Sequence, residues 1–345
     1  MSKHKHALTL FVIVLFASVP SPVAAKKKDK PRAAEGEITG EIQPVLWRAP
    51  QNISAKDLFY GPGGKEHQPQ GPFTFIKEDL EGSNPKFVVE DANGVKWKAK
   101  LGDEARPETA ASRLVWAVGY GTDWDYFLPT MQVKEMPTEL HRGKEFIITP
   151  GRVDNVRLKR DPEDEKKVEI WKWRDNPFRS TREFNGLRVL MAVINNWDLK
   201  DQNNAVLQDK QPDGGKELVY VISDLGSTFG KNGLSRDRRI SKGDLQFFVQ
   251  SKFIKKLRPE TVDFETPRRV DVVGVVNPRE FISRLRLRWI GRHIPREDAR
   301  WMGSVLAQLS PDQIHDAFRA AGYSTVEIDG FTTVLEARIA ELNKL

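Results

Sequence analysis

The sequence contains no cysteine, and this absence removes several kinds of chemistry at once. Disulfide bonds, thiolate metal sites, iron–sulfur clusters and a thiol nucleophile are all excluded. Glycine and proline, at 25 and 21 of 345 residues, are too few for a collagen-like or low-complexity chain. With 39% hydrophobic and 30% charged residues, the chain is instead expected to be globular and to hold its core together without covalent cross-links.

Long hydrophobic runs are confined to the N-terminus, which has the three parts of a secretory signal peptide. Lys3 and Lys5 precede an apolar run over residues 7–19, and small residues follow. This run is short for a membrane span, which needs about 20 residues, so a cleaved signal at residues 1–25 is favoured over an anchor. Residues 26–40 are expected to form a basic, disordered tail. The protein is therefore predicted to be exported, to the periplasm or outside the cell, with no membrane span after cleavage.

The next part of the chain, residues 41–175, is dominated by turns and short extended segments. An Asn-Gly pair between residues 86–90 and 95–101 predicts a β-hairpin. A helix is expected next, with Pro107 in its first turn and Gly119 at its end, because the apolar residues between them recur with a helical period. More strands are expected after it.

The last part, residues 176–345, is predicted to be mostly helical. A capping box at residues 180–183 starts one helix, and a final helix is expected from about Gly330. The exception is a hairpin with strands at residues 204–208 and 217–223. Strands first and helices second indicate an α+β fold.

Two polar segments beside this hairpin contain the residues best suited to catalysis. The loop before it has Asp198 and Asn203 five residues apart, and Asp224 follows its second strand in the sequence Asp-Leu-Gly. One carboxylate can orient an attacking hydroxyl group. An amide oxygen and a second carboxylate are hard ligands that suit Mg²⁺, so the set fits phosphoryl transfer.

These segments resemble the Asp-Leu-Lys-x-x-Asn catalytic loop and the Asp-Phe-Gly metal loop of protein kinases. Residues 81–86 look like the Gly-x-x-Pro-Lys element of HipA-type kinases. Residues 100–104 look like the Lys-x-Gly-Asp-Asp stretch of phosphatidylinositol 3- and 4-kinases. The chain therefore resembles the protein-kinase-like superfamily over residues 78–230. Asn196 and Leu225, where conventional kinases usually have His and Phe, favour its atypical branch.

The resemblance implies a two-lobed protein-kinase-like fold with ATP and Mg²⁺ between the lobes. The N-lobe, residues 41–175, would be an antiparallel sheet plus one helix, and the C-lobe, residues 176–345, would be mostly helical. The implied site residues are the catalytic pair Asp198 and Lys200, the metal ligands Asn203 and Asp224, and the nucleotide-binding residues Lys100, Glu108, Gly82 and Ser83.

Each implied residue has a role in the resemblance. Asp198 acts as the catalytic base, and Lys200 neutralises charge on the transferred phosphoryl group. Lys100, with Lys98 as the alternative lysine, binds the α- and β-phosphates, and it pairs with Glu108, with Glu104 as the alternative partner. The backbone around residues 82 and 83 covers the phosphates.

Three functions are compatible with these motifs. The first is an exported kinase that moves the γ-phosphoryl group of ATP to a hydroxyl group on a protein, lipid headgroup or sugar. The second is a catalytically inactive pseudokinase that binds nucleotide, and the third is a secreted interaction or scaffold protein. The presence of Lys100, Asp198, Asn203 and Asp224 favours the first, because inactive members often lose at least one of these residues. Nothing resembles a zinc finger or a helix-turn-helix, so nucleic acid is not expected as a partner.

Overall fold

The structure is a computed structural model, and it describes residues 43–345 apart from 83, 162–165, 197, 211–215, 231–241 and 266–284. The predicted signal peptide and basic tail, at residues 1–40, lie outside the described residues, and so does Ser83. In the part of the chain that is described, no helix combines the length and the hydrophobicity needed to cross a membrane.

The strands are numbered in chain order. They are β1 (Gln43–Val45), β2 (Phe73–Asp79), β3 (Lys86–Glu90), β4 (Lys96–Leu101), β5 (Asp125–Lys134), β6 (Ile147–Thr149), β7 (Arg152–Arg160), β8 (Lys166–Glu169), β9 (Asn204–Lys210), β10 (Lys216–Ile222), β11 (Ile254–Leu257), β12 (Thr261–Phe264) and β13 (Ile294–Pro295). The helices are α1 (Ala105–Ala117), α2 (Arg182–Val193), α3 (Leu245–Gln250), α4 (Arg296–Leu306), α5 (Pro311–Ala320) and α6 (Thr325–Asn343). This mixture of sheets and helices confirms the predicted α+β class.

A six-stranded sheet with its own hydrophobic core occupies the first part of the fold. Its strand order is β4-β3-β2-β5-β7-β6, and β4 also pairs with β7. The pairing is antiparallel except between β2 and β5. The predicted hairpin is β3 and β4, and the alternation in β4 holds, because Trp97, Ala99 and Leu101 are all buried in this core.

A larger core lies among the helices and includes one face of α1. Leu114 and Val115 of α1 belong to this core, whereas Glu108, one to two turns earlier, contacts charged residues of the six-stranded sheet. A stacked pair, Phe318 and Phe331, lies near its middle with ring centres 4.7 Å apart. Helix α1 therefore connects the sheet to the helical part of the fold.

Three sequence-based expectations need correction. Helix α2 is capped by Thr181, whose hydroxyl accepts a hydrogen bond from the amide of Phe184, and not by Ser180. Helix α6 begins at Thr325, earlier than Gly330, because Ser324 and Glu327 form a capping box. The chain after residue 233 also contains the strands β11, β12 and β13, which are too short to produce a clear alternating pattern.

The hairpin of the second part belongs to a four-stranded sheet in the order β1-β10-β9-β8. Its strands match the predicted ones, and Ile222 lies opposite Asn204 at the open end. The chain before Asn204 and the chain after Ile222 therefore leave the sheet side by side. This places the Asp198 loop and Asp224 at the same end of the hairpin.

Candidate active site

Lys100 lies at the centre of a buried charged cluster, and only 4% of its surface is exposed. Its Nζ atom lies 2.6 Å from a carboxylate oxygen of Glu104 and 2.9 Å from one of Glu108. A third contact, 3.3 Å to Oδ1 of Asp224, joins β4 to the segment after β10. Burial opposes the charge on Lys100, but the three carboxylates outweigh it and raise the pKa of Lys100 above its usual value. The ammonium group is therefore charged at neutral pH.

Both candidate partners of Lys100 contact it, but they differ in their other contacts. The second oxygen of Glu108 accepts a hydrogen bond from Arg157, 2.9 Å away. Glu104 instead contacts Lys242 and accepts a hydrogen bond of 2.5 Å from the side chain of Asn84. Glu108 therefore pairs two cations of the sheet, whereas Glu104 connects the β2–β3 turn with the second part of the chain.

Arg157 is a member of this cluster that the sequence did not reveal. It lies opposite Lys100 in the β4–β7 register, so both side chains leave the same face of the sheet and reach Glu108. The sequence offers one weak signal, an arginine between the apolar residues Val156 and Leu158, and the structure shows all three residues to be buried. Its partner is 49 residues away in the chain, which no local pattern can indicate.

We expect Glu108→Gln to lower the free energy of unfolding by about 3 kcal/mol, because it leaves Arg157 buried without its carboxylate partner. Urea unfolding of the two proteins at neutral pH measures this loss. The matched control is Glu139→Gln, which removes the same charge from an exposed pair with Lys144 and should leave the stability unchanged. Equal effects in the two variants would contradict the role given to Glu108.

The Asp198 loop is closed by hydrogen bonds that use its backbone. The side-chain nitrogen of Asn203 donates to the carbonyl oxygen of Asp198 at 2.6 Å, and the amide of Asp198 donates to the side chain of Asn196 at 3.2 Å. The ammonium group of Lys200 lies 3.3 Å from the Asp198 carboxylate. The contact with Asp198 uses the side-chain nitrogen of Asn203 and not its oxygen, which is the atom of an amide that can bind a cation.

Asp224 lies directly after the point where this loop meets the hairpin. The amide of Ser223 donates to the carbonyl oxygen of Asn203 at 2.9 Å, and the amide of Gly226 donates to the Asp224 carboxylate at 3.3 Å. Burial would raise the pKa of Asp224, but Lys100, the amide of Gly226 and Arg157 together outweigh it and lower that pKa below its usual value. Asp224 is therefore ionised at neutral pH.

The oxygen atoms of Asn203 and Asp224 fit the chemistry of a Mg²⁺ site, since this cation prefers hard oxygen ligands. A second group of carboxylates, Glu104, Glu108 and Asp224, has one oxygen each within 4.8 Å of the others. Three cations contact this group: Lys100 reaches all three carboxylates, Arg157 reaches Glu108 and Lys242 reaches Glu104, so the charge of Glu104 and Glu108 is already compensated. Asn203 and Asp224 are therefore the better candidates.

Two glycines shape the approach to this cluster. Gly226 lies so close to Glu104 that an added side chain would meet its Cβ atom at 2.6 Å, so the Asp-Leu-Gly segment needs a glycine there. Gly82 is an exposed turn residue with a φ angle of 65°, which favours glycine, and no other atom lies near its missing side chain. Arg142 holds this turn through hydrogen bonds of 2.5 Å to the carbonyl of Gly82 and 3.2 Å to that of Asp79.

The structure thus brings most of the sequence-predicted residues into two connected groups. Lys100 and Glu108 form the buried cluster with the half-buried Asp224 at its edge, and Asp198, Lys200 and Asn203 form the adjoining loop. Gly82 lies in the turn that reaches the cluster through Asn84. Glu104 and Arg157 enlarge the cluster beyond the predicted set.

The chain is similar to solved structures of kinases. No family model and no curated protein matches the chain. The chain is similar to the Helicobacter pylori proinflammatory kinase CtkA, with 13% identity and a TM-score of 0.40, over 79% of this chain and 96% of that one. It is also similar to the Golgi casein kinase with Mn/ADP bound, with 11% identity and a TM-score of 0.38, over 80% of this chain and 72% of that one. Both of these proteins are kinases.

Proposed function

We propose that the protein is a kinase-like phosphotransferase that moves the γ-phosphoryl group of ATP to a hydroxyl acceptor. The observation that carries this proposal is the 3.3 Å contact between Lys100 and Asp224, which are 124 residues apart in the chain. Together with the adjoining Asp198 loop, this contact gathers a cation for phosphates, a carboxylate for a metal and a carboxylate for a hydroxyl group. Phosphoryl transfer needs these three functions close together.

In this proposal the fold has two lobes with the nucleotide between them. The N-lobe, residues 41–175, contains the six-stranded sheet and α1, and the C-lobe, residues 176–345, contains the other helices and the catalytic hairpin. The protein is exported after removal of residues 1–25 and acts in the periplasm or outside the cell.

Nucleotide binding is the task of the N-lobe residues. Lys100 contacts the α- and β-phosphates, and Glu108 holds its ammonium group in place from α1. Amide groups of the β2–β3 turn around Gly82 cover the phosphates, because clustered backbone N–H groups favour anions. Asn203 and Asp224 hold Mg²⁺, which supplies charge neutralisation for the phosphate oxygens.

Transfer is the task of the Asp198 loop. Asp198 orients the acceptor hydroxyl group and accepts its proton while the acceptor oxygen forms a bond to the γ-phosphorus atom. The bond between that phosphorus and the oxygen bridging to the β-phosphate breaks, and ADP leaves. Lys200, already 3.3 Å from Asp198, compensates negative charge on the transferred group.

Thermal unfolding with ATP and Mg²⁺ tests the nucleotide site. At about 100 times its dissociation constant, a bound nucleotide should stabilise the protein by about 2.7 kcal/mol, which raises the melting temperature by a few degrees. The shift should disappear when EDTA removes the metal. Labelled phosphate released from γ-labelled ATP, to water or to the protein's own hydroxyl groups, then tests transfer.

The two measurements separate the proposal from its alternatives. A metal-dependent shift without any transfer would indicate a nucleotide-binding pseudokinase. No shift with ATP or GTP, and no transfer, would favour an interaction or scaffold protein. Either result would contradict the proposed activity.

A further inference from the structure

A cavity of about 690 Å³ lies away from the site described above. Its walls come from the chain after β1, the C-terminal end of α1 with the segment that follows it, and the β9–β10 hairpin. None of the residues assigned to phosphoryl transfer lines it. Its volume is typical of small-molecule sites.

The floor of this cavity is an apolar face of the hairpin. Leu207, Val219 and Val221 line it, and Leu207 lies opposite Val219 in the β9–β10 register. With Ala205 they form a small hydrophobic cluster that is separate from the two larger cores. A ligand with an apolar body would gain free energy by covering this face.

Two cations in the wall are held against tryptophan rings. The ammonium group of Lys56 lies 4.5 Å from the centre of the Trp116 ring and donates a hydrogen bond of 3.0 Å to the Trp116 carbonyl. The guanidinium group of Arg160 lies 5.0 Å from the centre of the Trp124 ring. All four residues line the cavity, so the rings position both cations at its edge.

Among the residues that the structure describes, these two cations have no acidic partner. Within the described ranges, no carboxylate oxygen lies within 4.0 Å of the charged nitrogens of Lys56 or Arg160. Burial lowers the pKa of Lys56 below its usual value, as expected for a cation that has lost water without gaining a carboxylate. An anion in the cavity would supply the missing partner.

The other charged groups in the wall are already engaged. Asp123 pairs with Lys159, with 2.7 Å between the charged atoms, and Arg48 pairs with Glu217. Asp209 also has an interaction of its own. Lys56 and Arg160 are therefore the two cations of the wall that are left to bind an anion.

The cavity and the Lys100 cluster lie at opposite ends of one helix. Glu108 is near the start of α1 and Trp116 near its end, eight residues later, which corresponds to about 12 Å along the axis. A ligand in the cavity and a nucleotide at Lys100 would therefore occupy separate sites.

We propose that this cavity is a second binding site, for an organic anion that combines an apolar ring system with a carboxylate, sulfonate or phosphate group. The rings cover Leu207, Val219 and Val221. The anionic group is bound by Lys56 and Arg160.

Two fluorescent probes that share one ring system test both parts of the proposal. Anilinonaphthalene sulfonate carries the anion, and N-phenylnaphthylamine is its neutral counterpart. The full chain should bind the sulfonate about tenfold more tightly than the neutral probe. Lys56→Met and Arg160→Met should each reduce this preference, and the double variant should remove it. Lys65→Met, which removes an exposed charge outside the cavity, should leave the preference unchanged.

Further measurements separate this site from other surfaces. Leu207→Trp should fill the floor and weaken both probes, and saturating ATP with Mg²⁺ should not displace either of them. Equal affinities for the two probes, a preference that survives both charge substitutions, or full displacement by ATP would overturn the proposal. If Lys56→Met fails to fold, Arg160→Met provides the same test, because Arg160 lines the cavity from the end of β7, whereas Lys56 lies in the chain after β1. Failure of the nucleotide experiment above would leave these expectations unchanged.

Discussion

Replacing Asp198 with asparagine is expected to lower the rate of phosphoryl transfer about 1000-fold and to leave nucleotide binding intact. Asparagine has nearly the same shape, but it cannot accept the proton of the acceptor hydroxyl group. The loop should keep its conformation, because Asn203 and Asn196 contact the backbone of Asp198 and not its carboxylate. The change therefore removes the chemistry of one group without removing the site.

Two measurements check this expectation in the same protein. Release of labelled phosphate from γ-labelled ATP should fall by the factor given above, whereas the rise in melting temperature with ATP and Mg²⁺ should persist. The matched control is Asp201→Asn, in the same loop. Its carboxylate accepts a hydrogen bond from the amide of Trp173 at 3.1 Å, and an asparagine oxygen can replace that acceptor. An equal loss of transfer in both variants would mean that charge in the loop, and not proton acceptance by Asp198, supports the reaction.

Local patterns in the sequence were sufficient to predict the two hairpins that position the site residues. An Asn-Gly turn between two extended runs is a short-range signal, and it gave β3 and β4 with bounds that differ by one residue from the observed ones. The alternation in β4 also predicted that Lys100 lies on the opposite face of the strand from Trp97, Ala99 and Leu101. The β9–β10 hairpin was predicted in the same way, and its register explains why Asn203 and Asp224 lie at one end.

Such local patterns could not predict contacts between strands that are far apart in the chain. Arg157 joins Lys100 because β4 pairs with β7, and nothing near either residue in the sequence specifies that pairing. The same reason applies to Lys242, which reaches Glu104 from 138 residues away. The sequence proposed Glu104 and Glu108 as alternative partners of Lys100, whereas the structure gives Lys100 both. Tertiary packing allows this because α1 begins immediately after β4 and returns across the sheet.

The short strands of the second part were missed for a different physical reason. Strands β11, β12 and β13 contain four, four and two residues, and so few positions cannot establish a period of two. The cap of α2 was misplaced by one residue because Ser180 and Thr181 are both good capping residues, and only the backbone geometry decides between them. Neither error moves a site residue, since α2 still ends just before the Asp198 loop.

Replacing Asp224 with asparagine is expected to remove most of the metal-dependent stabilisation by nucleotide. The protein should still fold, because Lys100 keeps its contacts with Glu104 at 2.6 Å and Glu108 at 2.9 Å. Loss of the charged oxygen should weaken binding of ATP with Mg²⁺ about 100-fold, since hard cations bind carboxylates better than amides. At a nucleotide concentration that stabilises the original protein by about 2.7 kcal/mol, the variant should gain only about 0.4 kcal/mol.

Thermal unfolding with and without EDTA measures this difference, and Asp244→Asn is the matched control. Asp244 caps α3 by accepting a hydrogen bond from Phe247, and asparagine is an equally good cap, so the control removes one charge without removing a structural contact. A nucleotide shift that is retained in Asp224→Asn, or lost equally in the control, would exclude Asp224 as a metal ligand.

The contact between Lys100 and Asp224 gives a reason why metal and nucleotide should bind together. Without nucleotide, these two groups neutralise each other, 3.3 Å apart. Phosphates alone would have to compete with Asp224 for Lys100, and a metal alone would have to compete with Lys100 for Asp224. ATP with Mg²⁺ offers both groups a new partner of opposite charge at once. The two ligands should therefore bind cooperatively, and Asp224→Asn should weaken ATP binding in the presence of the metal far more than in its absence.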